Sequence, residues 1–150
     1  MLIAAGLFFL IADQVVKLFI TSRLSPSETI PVIENIFHIT LVFNNGCAFG
    51  LFKGQPNVIF FAISISAVIF LTFFLIRLHK NLIIYRLAAI LMIAGALSNL
   101  IDRLRVGYVI DFLDFRIWPV FNLGDTAITI GVSIFIVRIL MKSKAKRSIS

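Results

Sequence analysis

Residues 58–76 read VIFFAISISAVIFLTFFLI, a run without a charged side chain and without glycine or proline to interrupt it. Crossing the hydrocarbon of a bilayer takes about 20 apolar residues in a helix. This stretch therefore predicts a transmembrane span, and it decides the class of the chain. Residues 2–20, 82–101 and 123–141 follow the same logic. The composition agrees: 60% of the 150 residues are hydrophobic, against about 45–50% in a soluble domain, and the mean hydropathy is +1.06. The expected fold is a mainly α membrane protein with four transmembrane helices, forming one integral domain over residues 1–150. The first run could be taken for a cleavable leader. It lacks a basic start and an Ala-x-Ala-like exit, and it holds Asp13 and Lys17, so it reads as a retained span.

The segment between the first two spans, Thr21–Asn57, has a different character. Ile30–Ile33 and Ile36–Phe43 are rich in β-branched and aromatic residues, with Glu34-Asn35 as a turn between them. Pro31 would hold the first run at a sheet edge. A small β-rich platform at the membrane surface is expected here. Arg103–Phe121 reads as a second, mixed loop, with Trp118-Pro119 as interfacial anchor and breaker.

The net charge of +7 is not spread as a nucleic-acid footprint would be. It gathers at Arg77, His79, Lys80 and Arg86, and at Lys142, Lys144, Lys146 and Arg147. Basic clusters flanking apolar runs set topology. They put the loop between spans two and three, and both termini, in the cytoplasm; Arg86 is expected to snorkel to the headgroups. Residues 21–57 and 103–121 then lie outside. The single Cys47 excludes an internal disulfide and reads as a small buried hydrophobe.

Only seven residues are acidic, and four of them, Asp13, Asp102, Asp111 and Asp125, fall in or beside the spans. An ionised group at hydrocarbon depth costs about 2.5–3.5 kcal/mol on insertion scales, so each needs a partner or a use. Asp13 and Lys17 stand at i and i+4 on one helix face, as a self-neutralising pair would. Asp102 is most simply paired with Arg103 or Arg105. Asp125 follows Asn122 by three residues, the spacing of a helix cap and a first-turn acid. Asp111, in Val109-Ile110-Asp111-Phe112, has no neighbouring base. The inferred topology brings all these polar residues to one level, the outer interface.

Two carboxylates held together cannot both ionise readily, so they share a proton. Such a pair can activate water with one member while the other polarises a peptide carbonyl. No Ser/His/Asp or Cys/His set competes, since His38 and His79 are isolated, and no His-Glu-x-x-His motif or phosphate-binding glycine loop is present. Three other classes stay open on the residues alone. A proton-conducting transporter would place polar groups along the whole depth of the bundle. A metal-dependent phosphatidyltransferase would cluster acids at helical spacing on one segment, where only Asp111 and Asp114 are close. A purely structural membrane protein is the third.

Five segments taken together resemble the lipoprotein signal peptidases, or signal peptidase II. They are Asp13-Gln14-x-x-Lys17, Asn44-x-Gly46-x-Ala48-Phe49, Gly95-x-x-x-Asn99-x-x-Asp102-Arg103, Val109-Ile110-Asp111-Phe112 and Phe121-Asn122-x-x-Asp125. Each is weak alone; all five occur in family order over nearly the whole chain. The resemblance implies an aspartic endopeptidase of the bacterial cytoplasmic (inner) membrane, with no cofactor and no metal. Its partners would be membrane lipids and prolipoproteins whose cysteine already carries diacylglycerol, cut on the N-terminal side of that cysteine. Asp111 and Asp125 would be the catalytic pair. Asn44, Gly95, Asn99, Arg103 and Asn122 would line or support the site, with Asp13, Lys17 and Asp102 in structural or positioning roles. Nothing demands more than a monomer, and no nucleic acid is implied. The chain departs from the family pattern in Gly124, where alanine is usual, and in Ser98, where glycine commonly precedes the asparagine.

Overall fold

The computed structural model describes residues 2–46 and 57–147. Four helices, α1 (Leu2–Thr21), α2 (Asn57–Arg77), α3 (Ile83–Val106) and α4 (Leu123–Arg147), accompany three strands, β1 (Thr29–Ile33), β2 (Phe37–Asn44) and β3 (Val109–Asp114). All four helices are long and apolar enough to cross a membrane. Each of α1, α2 and α4 packs against α3. The reason is legible in its side chains: Ala88, Ala89, Ala94, Gly95, Ala96 and Ser98 are all buried, and small residues let neighbouring backbones approach closely.

Helix α3 continues past the expected residue 101 to Val106 and stops at Gly107. Gly107 adopts a φ of 86°, and its N–H donates to the Arg103 carbonyl at 3.1 Å. A left-handed turn of this kind falls to glycine because it has no Cβ to clash. At the opposite end of the bundle, Arg86 does not simply reach outward. Its Nη1 donates to the carbonyls of Leu78 at 3.0 Å and Leu75 at 3.3 Å. Those carbonyls lie at and just beyond the C-terminus of α2, where the helix leaves acceptors short of donors; the Leu75 carbonyl also accepts the Leu78 N–H at 3.3 Å.

The expected platform is a three-stranded antiparallel sheet in the order β1-β2-β3. Pro31 lies on edge strand β1, as expected, and Asn35 turns the chain with a φ of 58°. The segment expected as a mixed loop supplies β3. Its β-branched and aromatic run, Val109-Ile110-Asp111-Phe112-Leu113, pairs with β2. An irregularity in the ladder between Ile39 and Val42 shifts the register, so that Val42 faces Asp111 and Asn44 faces Val109. Asn44 and Asp111 thus become diagonal neighbours, within side-chain reach. Ile20, Leu24, Leu41, Ile110 and Phe112 are buried between the sheet and the helices.

Beyond β3 the chain doubles back. The Phe121 carbonyl accepts from the N–H groups of Phe112 and Leu113, and the Phe121 N–H donates to the Leu113 carbonyl at 3.1 Å. This return delivers Asn122 to the flank of β3, where α4 starts. Ile117 and Trp118, on the loop between, are exposed. Asp114 ends β3, accepting from the Thr40 hydroxyl and the Arg116 N–H, each at 2.8 Å.

A Cβ on Gly95 would fall on the Gly124 carbonyl oxygen, and 2.8 Å from Ile128 Cγ1. Backbone cannot yield there as a side-chain end can. Gly95→Ala should therefore destabilise the protein by about 1–3 kcal/mol through overpacking, read as a lower melting temperature. Gly6→Ala, whose added carbon would meet chiefly the Ile90 side chain, should cost less.

Candidate active site

The last turns of α1 and α3, the first turn of α4 and strands β2 and β3 meet at one end of the bundle. The sequence-derived polar residues gather there. Asp111 is buried on β3 and Asp125 is part-buried in the first turn of α4. Two asparagines tie them together. Asn122 Nδ2 donates to Asp111 Oδ1 at 2.6 Å and to Asn99 Oδ1 at 3.1 Å. Asn99 Nδ2 donates in turn to Asp125 Oδ1 at 2.8 Å. The second Asp111 oxygen accepts from Asn44 Nδ2 at 2.9 Å.

Asn122 also caps α4, as its spacing suggested. Its Oδ1 accepts the Asp125 N–H at 2.9 Å, satisfying one of the amides that a helix start leaves bare. The Asp125 carboxylate turns to Asn99 instead. One amide therefore fixes the helix start and holds the other aspartate.

Burial first, and the Asp125 carboxylate second, push the Asp111 carboxyl up from 3.8 to about 7. The amide donors of Asn44 and Asn122 and the charge of Lys17 pull the other way without cancelling them. At neutral pH this group stands near the midpoint of its titration, where a carboxyl can both take and give a proton.

Behind the pair lies a wholly buried charge cluster. Lys17 Nζ is 2.6 Å from Asp13 Oδ2 and 2.7 Å from Asp102 Oδ2, and none of the three side chains is exposed. The i, i+4 pair is as expected. The expected pairing of Asp102 with Arg103 or Arg105 is replaced by Lys17. Adjacent helix residues point about 100° apart, so Asp102 faces α1 while Arg103 faces α2. Arg103 Nη1 donates to Ser64 Oγ at 3.1 Å, and its Nη2 to the Gly46 carbonyl at 3.4 Å. Asp102 Oδ2 further accepts the Ile110 N–H at 3.1 Å, which anchors β3 beside Asp111.

Three members of the network carry no site role in the sequence reading. Gln14 Nε2 donates to Ser98 Oγ at 2.8 Å and Asp102 Oδ1 at 3.0 Å, Ser98 Oγ donates to Asp13 Oδ2 at 2.6 Å, and Ser64 holds Arg103. Gln14 belongs to the Asp13-Gln14-x-x-Lys17 motif, and Ser98 stands out in the sequence only as a departure from glycine. Gly95 contributes no polar group and sits where α3 and α4 touch. Cys47, Ala48, Phe49 and Gly50 lie outside the described residues. Among the described residues, no three His, Cys, Asp or Glu side chains converge as metal ligands would.

The profile of the family described as "Signal peptidase (SPase) II" matches residues 5–141. The chain belongs to the signal peptidase II family. A protein named lipoprotein signal peptidase from Moorella thermoacetica is 46% identical over 136 residues, 91% of this chain and 90% of the relative. Another of that name from Halothermothrix orenii is 41% identical over 138 residues, 92% and 94% of the two chains. Two solved bacterial membrane enzymes share the fold. One is 36% identical with a TM-score of 0.90, covering 97% of this chain and 90% of the other; the second is 34% identical with a TM-score of 0.85, covering 93% and 92%. The chain is thus a multi-pass membrane protein, and a protease by family.

The raised Asp111 has a consequence for stability. Between pH 3.8 and about 7 the folded protein holds a proton that the unfolded chain has released. Stability from this group therefore falls as pH rises through that window, by at most about 1.4 kcal/mol per pH unit. Asp111→Asn removes the titration. The melting temperature of the variant should gain on the wild type from about pH 4 to about pH 7 and then level. A difference that does not vary with pH would mean that Asp111 titrates normally.

Proposed function

We propose that this membrane protein is an aspartic endopeptidase that removes the signal peptide from diacylglyceryl-modified prolipoproteins, cutting on the N-terminal side of the lipidated cysteine. The observation that carries this reading is the linkage of Asp111 and Asp125 through Asn122 and Asn99 at one end of an apolar bundle. Carboxylates held in this way share a proton. The ionised member takes a proton from water as its oxygen attacks the scissile carbonyl, and the protonated member donates to the carbonyl oxygen. Collapse of the tetrahedral intermediate breaks the C–N bond, and the departing amine receives a proton from the pair.

Asn44, Gly95, Asn99, Arg103 and Asn122 take supporting roles in this scheme. Asn44 holds Asp111, and Arg103 ties α3 to α2 and to the Gly46 carbonyl. The relatives named lipoprotein signal peptidase support the substrate class. Basic residues between α2 and α3, at the end of the bundle away from the aspartates, support cytoplasmic termini and a site near the outer face of a bacterial inner membrane. A signal-peptide helix and two acyl chains would then arrive laterally through the bilayer, to a protease acting as a monomer.

Asp111→Asn and Asp125→Asn should each lower cleavage of a purified diacylglyceryl prolipoprotein by on the order of 10²-fold or more, with the protein still accumulating in the membrane. Substantial turnover by either variant would remove the paired-acid mechanism. Chelator should leave the rate unchanged, and a precursor without the lipid should be a poor substrate. Equal cleavage of both precursors would dismiss the lipid dependence.

A further inference from the structure

Each of the three asparagines around the acids has its carbonyl end occupied by a group that can only donate. The Gly46 N–H reaches Asn44 Oδ1 at 2.9 Å, the Asp125 N–H reaches Asn122 Oδ1 at 2.9 Å, and the Lys17 ammonium reaches Asn99 Oδ1 at 3.3 Å. An amide whose oxygen is held by a donor must turn its NH2 to the other side. In all three cases the other side is an aspartate. Two of the three locks are backbone groups; the third is a side chain 82 residues away in sequence.

We infer that Lys17 is a positioning residue for the paired acids: its ammonium fixes the Asn99 amide so that Nδ2 donates to Asp125 Oδ1. This rests on reading Asp111 and Asp125 as the catalytic pair. The ammonium is itself held still. Asp13 and Asp102 grip it at 2.6 and 2.7 Å in a site without solvent exposure. Asn122 Nδ2 also reaches Asn99 Oδ1, at 3.1 Å, but that NH2 group is shared with Asp111. Lys17 is the charged donor on this oxygen, and hydrogen bonds from charged groups are roughly twice as strong as neutral ones. The ammonium has three N–H donors; two go to Asp13 and Asp102, and the third is the one spent on Asn99.

The test separates positioning from neutralisation by keeping the charge balance constant. Lys17→Gln/Asp13→Asn and Lys17→Met/Asp13→Asn each remove one cation and one anion, and leave Asp102 its donors from Gln14 and Ile110. Glutamine retains an N–H for Asn99; methionine has a similar length and none. With equal melting temperatures, the glutamine double variant should cleave a diacylglyceryl prolipoprotein with a kcat about five- to tenfold above the methionine variant, the effect of one hydrogen bond, and the same KM. Equal kcat values, or a difference confined to KM, would overturn the inference. Failure of both variants to accumulate would do so too, by making Lys17 a folding pin. Absence of cleavage by the wild-type protein would instead overturn the enzymatic reading on which the inference stands.

Discussion

A single buried cation organises this end of the molecule. Lys17 sits with two carboxylates and no solvent, where each ion has lost several kcal/mol of hydration. The cluster is held from several elements: Gln14 and Ser98 add hydrogen bonds from α1 and α3, and the Ile110 N–H adds one from β3, which leaves Asp13 Oδ1 as its unpartnered buried atom. Breaking such an assembly by deleting one charge costs about 3–5 kcal/mol. Two routes lead from Lys17 to the paired aspartates. One runs through Asp102 to the backbone of Ile110, next to Asp111; the other runs through Asn99 to Asp125. The cluster sets the register of α1 on α3, and with it the position of both acids.

Close helix contact is the second requirement. Asn99 reaches Asp125 because α3 and α4 touch through glycine at 95 and 124. The two departures from the family pattern bear on this contact. A Cβ on Gly124 would lie 3.0 Å from Asn122 Oδ1 and 3.1 Å from the Gly95 carbonyl, so glycine there relieves crowding around the amide that caps α4. Ser98, in place of the commoner glycine, contributes a hydroxyl to Asp13 and accepts from Gln14. One departure relieves crowding at the close α3–α4 contact and the other adds a clasp between α1 and α3. Both sit beside Asn99.

The helices and the outlying hairpin were legible because their signals are local: long apolar runs, and a β-branched segment with a turn at Glu34-Asn35. The third strand was not. Val109–Asp114 is too short to distinguish a strand from a loop until β2 is beside it, since strand preference reflects the neighbour as much as the sequence. The error over Asp102 has the same origin. Arginines stood next to it in the chain, whereas its partner was on another helix, and sequence proximity stood in for spatial proximity. Lys17 was assigned one partner by its i, i+4 spacing and has three. Asp111 and Asp125 stand out in the sequence because neither has a neighbouring base, as Asp13 and Asp102 do. What joins them, the return of Phe121 onto Leu113 that carries Asn122 to Asp111, depends on a ladder that only the fold defines.

The reaction proposed for the two acids carries a conflict built into hydrolysis at a membrane. A carboxyl must be desolvated to reach a useful proton affinity, yet the reaction consumes water. In the proposed reaction the two aspartates would divide these demands. Asp111 is 1% exposed, and burial is the largest cause of its elevation to about 7; its oxygens are held by Asn44 and Asn122. Asp125, at the start of α4, is only part-buried, with one oxygen fixed by Asn99. Moving the pair deeper would strip Asp125 of access to solvent, and moving it outward would return Asp111 to an ordinary carboxylate. The end of the bundle, roofed on one side by the sheet, satisfies both. The cost is a buried acid that weakens the fold as it ionises, a compromise common where function needs a strained or desolvated group.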